Sequence, residues 1–333
     1  MPGPRTVILI LLPPGLVLGS LLVGRYEIDP LTVLRVLISR LVPLEPTWPR
    51  ILETVILEVR LPRIVLAMVV GAGLSISGAS FQGIFRNPLV GPGILGVSAA
   101  AGFGAALAIV LSLSPSLIRI SALVFGLGGV LLTYSLSRVF KTTPTLVLVL
   151  SGVVVGSFFT ALISVIKYLA DPYEKLPAIT YWLMGSLGAA TSAKVLATLP
   201  PMALGVGGLL LVGWRMNVLS LGDDEAKALG LRTEFLKGLI IVCCTVITAS
   251  AVCVTGIIGW VGLIIPHAGR MLVGPDHRLL LPACLSLGGS YLLVVDNLSR
   301  TLSLAELPLG ILTALIGAPF FALLLRRTKG GWS

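Results

Sequence analysis

Charged and aromatic side chains are scarce in this sequence. Of its 333 residues, 11% are Asp, Glu, Lys or Arg and 6% are aromatic, whereas 56% are hydrophobic. Soluble globular domains carry about 25% charged residues, so a chain this poor in charge would lack the polar surface that water requires. The bilayer is a solvent that removes this requirement. The composition therefore indicates a membrane protein.

Histidine and cysteine are also few, which argues against a metal or catalytic centre. The two histidines, His267 and His277, have no spacing to Cys or Glu that suits a metal site, and we interpret them as structural hydrogen-bonding residues. The four cysteines lie inside apolar runs without C-x-x-C spacing, which is typical of small buried side chains. We predict no bound metal and no catalytic residue.

The sequence has no glycine-rich phosphate loop, because no lysine follows a glycine as G-x-x-x-x-G-K-[ST] requires. We therefore expect no cofactor on this chain. If ATP powers the protein, another chain binds the ATP and the Mg. The net charge of +10 is spread between apolar runs and forms no basic stripe, so nucleic acid is not an expected partner.

Long apolar runs dominate the rest of the chain. A transmembrane helix needs about 20 apolar residues. We predict an all-α polytopic membrane protein in which residues 1–333 form a single transmembrane domain with ten spans. The predicted spans are 6–24, 62–84, 91–111, 118–137, 145–169, 194–213, 236–255, 257–272, 279–298 and 308–325.

Ten spans place both termini on the same side of the lipid bilayer. Putting that side in the cytoplasm gives it slightly more than half of the lysines and arginines and fewer than half of the acids. The run 6–24 is longer than the apolar core of a signal peptide and no A-x-A site follows it, so we interpret it as an uncleaved first span. We expect both termini in the cytoplasm.

One short polar segment separates the sixth and seventh spans. Residues 221–235 read LGDDEAKALGLRTEF. Acids at 223–225 suit the first turn of a helix, where the helix dipole favours negative charge, and Gly230 is suited to ending that helix. We predict a pair of short cytoplasmic helices over 222–234, able to receive a partner. An ordinary solvated loop is the alternative.

Charge is nearly absent from the centres of the spans. Lys167 and Asp296 come closest, and both fall near outer ends. Secondary transporters tend to place Asp, Glu or His near mid-membrane to bind the coupling ion. An ion-coupled secondary transporter is therefore only the alternative function. An intramembrane enzyme or scaffold that uses His267 and His277 is a further alternative.

Five blocks of the sequence resemble, in order, the permease subunits of type II ABC importers, known as the FecCD family. The blocks are RLPRIVLAMVVGAGLSISGASFQGIFRNPLVGPGILGVSAAAGFGA (60–105), YWLMGSLG (181–188), GDDEAKALGL (222–231), GWVGLIIPHAGRMLVGPDHRLLLP (259–282) and ELPLGILTALIGAPFFALLLRR (306–327). The resemblance implies a permease in a prokaryotic inner or plasma membrane. It also implies a metal chelate as cargo, such as a ferric siderophore, haem or a corrinoid.

The resemblance further implies partners. These are a second copy of the chain, two ATPase subunits in the cytoplasm, and an extracytoplasmic substrate-binding protein. In the family, the block that matches 222–231 forms the coupling helices that sit in a groove of the ATPase. The coupling residues carried over are Gly222, Asp223, Glu225, Ala226, Ala228, Leu229 and Gly230.

Three further sets of site residues follow from the resemblance. Docking of the binding protein is assigned to Arg60, Arg63 and Arg300, for which anchoring at the membrane interface is the alternative. The cytoplasmic gate is assigned to Asn87, Leu89, Thr142, Thr143 and Thr145, although Asn-Pro is also a common turn former. The pathway lining is assigned to Ser151, Gly152, Ser157 and Thr160 of the fifth span, with help from the tenth.

Overall fold

The computed structural model describes residues 4–24, 26–40, 42, 45, 48–138, 145–303 and 305–327. Within these ranges the chain is helical and contains no strand. A π-helical turn, Val55–Arg60, joins the third helix to the fourth. The helices are α1 (Pro4–Leu22), α2 (Pro30–Ile38), α3 (Arg50–Thr54), α4 (Leu61–Phe85), α5 (Val97–Val110), α6 (Pro115–Ser137), α7 (Thr145–Leu169), α8 (Lys175–Met184), α9 (Ser192–Leu219), α10 (Asp223–Ala228), α11 (Thr233–Thr255), α12 (Val261–Val273), α13 (His277–Thr301) and α14 (Leu309–Arg327).

Ten of these helices are apolar and lie at the positions of the ten predicted spans. Six of them, α4, α6, α7, α9, α11 and α13, are long and apolar enough to cross a membrane. The other four, α1, α5, α12 and α14, are shorter apolar helices. The predicted fold class, an all-α polytopic membrane protein, is confirmed.

Two predicted spans begin with irregular backbone instead of helix. α5 starts at Val97 and not at 91, and α12 starts at Val261 and not at 257. At 1.5 Å per residue, the 14 residues of α5 reach only about 21 Å, against about 30 Å of hydrocarbon. Glycine and proline keep 91–96 out of a helix even though the run is apolar. Irregular backbone at this depth must be buried in protein or line a water-filled cavity.

Helix α4 forms the centre of the molecule and is almost entirely buried. Its glycines allow neighbouring helices to approach closely. A Cβ on Gly71 would lie 2.2 Å from the carbonyl oxygen of Gly288 in α13, and one on Gly78 would lie 2.0 Å from that of Gly262 in α12. Close approach through small residues is how membrane helices gain packing energy where the lipid supplies no hydrophobic drive.

The two ends of the helix bundle differ in what they carry. Helix α9 runs from the end of α8 to the start of α10, so α8 and α10 lie at opposite ends. We call these ends the α8 face and the α10 face. The short helix α2 buries Val33 and Val36, and Asp29 accepts a hydrogen bond from the Thr32 amide at its start.

Candidate functional site

The segment 223–228 forms a helix, α10, with a defined start and a defined end, and is not an irregular loop. At its start, Gly222 has a φ of +148°, in a region that favours glycine. At its end, Gly230 has a φ of +81°. Its amide donates to Lys227 O at 2.9 Å, and the Leu231 amide donates to Ala226 O at 3.0 Å. This pair of bonds is a Schellman motif, and the prediction that Gly230 ends the helix is confirmed.

One side of α10 holds the helix against the rest of the chain. Ala226 is fully buried, and Gly222 is buried at the turn before the helix. Asp223 binds Lys237 of α11, whose side chain is only 10% exposed. Asp223 therefore anchors α10 and does not cap it, since the cap residue is Gly222. Gly222, Asp223 and Ala226 position the helix from within the chain.

The other side of α10 is open to a partner. The predicted coupling residues Glu225, Ala228, Leu229 and Gly230 are all exposed. Apolar side chains are exposed beside the acids: Leu221 at 63%, Leu229 at 66% and Phe235 at 70%. Acidic and apolar groups on a rigid base are suited to bind a protein surface, with the charges setting its orientation.

A cavity of about 760 Å³ opens on the same α10 face, between the ends of α4 and α9 and the start of α13. Asn217 of α9 holds that start. It donates to Asp276 Oδ1 at 2.6 Å and accepts from the His277 amide at 2.8 Å. Hydrogen bonds from the Arg278 amide and from Asn217 lower the pKa of Asp276. The His277 ring also contacts Asn217 Oδ1 at 2.8 Å, which fits its structural interpretation.

The predicted gate residues divide into described and undescribed positions. Asn87 and Leu89 are exposed on the α10 face, and Asn87 Oδ1 accepts a bond from the Leu89 amide at 2.9 Å. That contact fits the reading of Asn-Pro as a turn former. Thr145 begins α7. Thr142 and Thr143 lie outside the described residues, and the gate stays a prediction.

A groove of about 600 Å³ runs between α7 and the irregular segment before α5. Its lining is almost all small: Gly93, Ile94, Gly96, Ala99, Gly152, Val153, Gly156, Ser157, Thr160, Ala161 and Ser164. A Cβ on Gly152 would lie 2.3 Å from Ile94 O, so only glycine permits this approach. Irregular backbone is tolerated at membrane depth where it lines a water-filled cavity, and here the irregular segment 91–96 forms part of the wall of a groove.

The wall of this groove offers little hydrogen bonding to a solute. The Thr160 hydroxyl donates to Gly156 O at 2.8 Å, and that of Ser164 donates to Thr160 O at 3.0 Å. Gly152, Ser157 and Thr160, three of the four residues assigned to the pathway lining, line this groove, and their role in a pathway stays a prediction. Ser151 does not line the groove, because it is buried and lies outside the lining, on another side of α7.

A buried charge network lies near the α8 face. The Arg63 guanidinium binds both carboxylate oxygens of Asp296 at 2.9–3.0 Å and Glu306 Oε1 at 2.9 Å. Arg300 Nε lies 3.4 Å from Asp296 Oδ2, which is the i, i+4 pair in α13. The network ties α4, α13 and the segment before α14 together. Asp296 and Glu306 are functional candidates that motif reasoning missed, since only the i, i+4 spacing of Asp296 hinted at a partner.

The three predicted docking arginines are all engaged inside the chain. Arg60 donates to the carbonyls of Leu21 and Tyr26, and Arg300 donates to Ser20 and Asn297. Their exposed fractions are 3% for Arg60, 6% for Arg63 and 7% for Arg300. An arginine that docks a partner protein is expected to be exposed, whereas these three are buried, and burial requires their charges to be paired with internal acids and carbonyls. Docking by these residues stays a prediction.

Comparison with known proteins identifies the family of the chain. The FecCD transport family matches residues 8–327. The chain belongs to the FecCD transport family. This membership confirms the predicted resemblance, and with it the prediction that the chain is a multi-pass membrane permease of an ABC transporter and not a catalytic enzyme.

Individual known proteins are similar to this chain over most of its length. The molybdate import system permease protein MolB of Haemophilus influenzae is 44% identical over 94% of this chain and 92% of its own. A probable iron chelatin transport system permease protein of Helicobacter pylori is 43% identical over 84% of each chain. A solved structure described as an inward-facing conformation of a metal-chelate type ABC transporter, 43% identical, matches with a TM-score of 0.86 over 96% of this chain and 97% of that one.

Proposed function

We propose that this chain is the permease subunit of an ATP-driven importer that moves a metal chelate into the cytoplasm. The observation that carries the proposal is α10, a short helix anchored by Asp223 and Ala226 that presents Glu225 and Leu229 to the outside. A separate ATPase binds the ATP and Mg, and its surface binds this helix. The α10 face and both termini then lie in the cytoplasm, and the α8 face meets an extracytoplasmic binding protein.

The transport path in this proposal follows the groove beside α7. A second copy of the chain closes the groove, so that two grooves face each other across a dimer axis. The groove side of α7 carries Gly152, Gly156 and Thr160 at four-residue spacing, and small residues of this kind let membrane helices of two copies approach closely, which supports a second copy on this side. Because Thr160 and Ser164 bond their own helix, the path binds its cargo weakly and releases it readily.

The cargo is proposed as a chelate, such as a ferric siderophore, haem or a corrinoid. Relatives named for molybdate and for iron chelatin have nearly equal identity to this chain, so identity does not choose between an oxyanion and a chelate. A groove of about 600 Å³ with small, weakly polar walls suits a bulky cargo better than a small anion that needs positioned donors. Binding assays on the extracytoplasmic protein with ferric chelates, haem, corrinoids and molybdate test this choice, and binding of molybdate alone contradicts it.

Reconstitution in vesicles tests the source of energy. The full chain with its ATPase subunits and binding protein is expected to take up the cargo only when ATP is present on the α10 side. The chain alone, under an imposed proton or sodium gradient, is expected to show no uptake. Uptake driven by the gradient without the ATPase would favour the ion-coupled alternative and overturn the proposal.

A further inference from the structure

A separate cavity of about 890 Å³ opens on the α8 face, between the starts of α6 and α9. The end of α11 lines it from below and α8 forms a further wall. Three cations reach it from three different helices: Arg119 from α6, Lys175 from α8 and Lys194 from α9. None of the three belongs to a residue set assigned to coupling, gating, docking or the groove.

Two of these cations have no acidic partner within the described part of the chain. Arg119 donates to Ser116 Oγ at 3.0 Å, and Lys194 donates to the carbonyl oxygen of Ala189 at 2.6 Å. Arg119 and Lys194 line the same cavity, so their positive charges add there. Neutral oxygens satisfy the N–H groups in part but leave the positive charge uncompensated.

Two acids, Glu174 and Glu306, also line the cavity but do not cancel the charge of the three cations. Glu306 is held by Arg63, which belongs to the buried network behind the wall. Glu174 lies 3.5 Å from Lys175, but its side chain is 82% exposed and the attraction is screened by water. A negatively charged group is therefore stabilised in this cavity.

The starts of two helices add to the positive electrostatic potential of the cavity. α6 and α9 both begin at the cavity, after the cap residues Ser114 and Thr191. Each helix start carries a partial positive charge from its unpaired amides, which adds to that of Arg119 and Lys194.

Much of the remaining lining is apolar, although Ser112, Tyr181, Ser186 and Thr255 also line the cavity, and the cavity borders the lipid. Its apolar residues include Ile109, Leu113, Ile118, Trp182 and Val254. On the outer sides of α6 and α9, Leu117, Ile120 and Leu196 are 46%, 55% and 68% exposed, as expected of side chains that face lipid tails. The apolar helices α5 and α11 end at this cavity and α6 and α9 begin there, which places it at the depth of the lipid headgroups. A ligand that fits has an anionic head and an apolar body.

We propose that this cavity binds the phosphate headgroup of an anionic phospholipid, with Arg119, Lys175 and Lys194 as the phosphate-binding groups. Arginine and lysine bind phosphate oxygens through charge-assisted hydrogen bonds. The bound lipid bridges α6, α8 and α9, which have no direct charge pair with one another among the described residues. Inorganic phosphate has the same binding chemistry, and the apolar lining is what favours the lipid.

Lipid retention by the purified full chain in neutral detergent tests the proposal. Native mass spectrometry after exposure to equal amounts of phosphatidylglycerol and phosphatidylcholine is expected to show preferential retention of phosphatidylglycerol. The variants Lys194→Gln and Arg119→Gln/Lys175→Gln/Lys194→Gln are expected to weaken that retention, by about fivefold for each cation removed. Arg35→Gln, on the exposed side of α2, is the matched control and keeps the wild-type retention.

Three results would overturn the proposal. They are equal retention of the two lipids, wild-type retention by the single and triple variants, and displacement of phosphatidylglycerol by millimolar inorganic phosphate, which would assign the cavity to a free anion. Because Lys194→Gln removes one partly exposed charge and no buried contact, it keeps the test valid if the triple variant does not fold.

Discussion

Arg63 of α4 and Asp296 of α13 form a buried ion pair with three nitrogen–oxygen contacts of 2.9–3.0 Å. Asp296 is completely buried. Removing one charge of such a pair leaves the other uncompensated, which costs about 3–5 kcal/mol. We expect Asp296→Asn to lower the free energy of unfolding by that amount, measured by denaturant titration in detergent.

Two matched variants serve as controls for this pair. Glu306→Gln removes a partner of Arg63 that is 30% exposed, so its effect is expected to be smaller. Asp224→Asn removes a carboxylate that is 96% exposed and 3.7 Å from Lys227, and we expect almost no change. Equal stability of Asp296→Asn and Asp224→Asn would contradict the structural role of the network.

The groove beside α7 depends on glycine at position 152. A Cβ there would meet Ile94 O at 2.3 Å, and backbone cannot move aside as a flexible side chain does. We expect Gly152→Ala to destabilise the protein by about 1–3 kcal/mol and to reduce transport, measured by thermal unfolding and by uptake in vesicles.

Gly128→Ala is the control for this glycine, because a Cβ at position 128 of α6 meets nothing within 4 Å. It is expected to leave stability unchanged or to raise it slightly, since Ala favours a helix over Gly. Similar losses in the two variants would indicate that the effect of Gly152→Ala does not come from the groove.

The two sides of α10 predict two different phenotypes. Glu225→Lys reverses an exposed charge, so we expect normal amounts of chain in the membrane and at least about a tenfold loss of transport-linked ATP hydrolysis. Asp223→Asn breaks the pair with Lys237 and loosens the helix itself, which lowers both stability and coupling. ATPase activity of the assembled complex, beside a thermal melt of each variant, separates these outcomes. Unchanged ATPase coupling in Glu225→Lys would count against the proposed interface.

The start of α13 predicts a dependence on pH. Hydrogen bonds to the carboxylate lower the pKa of Asp276, so its contribution is fully present above the ordinary aspartate value of about 4 and is lost only as the pH falls through the lowered value. Asp276→Ala is expected to cost about 1 kcal/mol near pH 7, the typical worth of a helix cap. The difference between wild type and variant should shrink below about pH 4. A difference that disappears between pH 5 and 7 would contradict the assignment.

Much of the fold follows from hydropathy and length. The apolar runs predict the positions of ten helices, because a segment that crosses a bilayer must be apolar and helical. The acids at 223–225 and Gly230 predict the position of α10. Hydropathy fails where glycine and proline interrupt an apolar run, so the helical part of the third span starts at Val97 and that of the eighth at Val261. A hydropathy window counts side chains and does not register the backbone preferences of Gly96 or Gly256.

The environments of individual side chains are harder to predict from the sequence. The i, i+4 spacing of Asp296 and Arg300 indicates a pair within one helix. The contact of Asp296 with Arg63 joins residues 233 positions apart, and no spacing predicts it. Burial of Arg60 and Ser151 likewise depends on which neighbours the fold brings to them, and spacing along one helix does not contain that information.

Site-specific photo-crosslinking tests the central claim, that the exposed side of α10 binds a separate ATPase. A photoreactive residue replaces Leu229, which is 66% exposed on the α10 face, or Tyr173, which is 91% exposed before α8. With the co-purified ATPase subunit present, we expect an adduct from position 229 and none from position 173. An adduct from position 173 but not from position 229 would contradict the account.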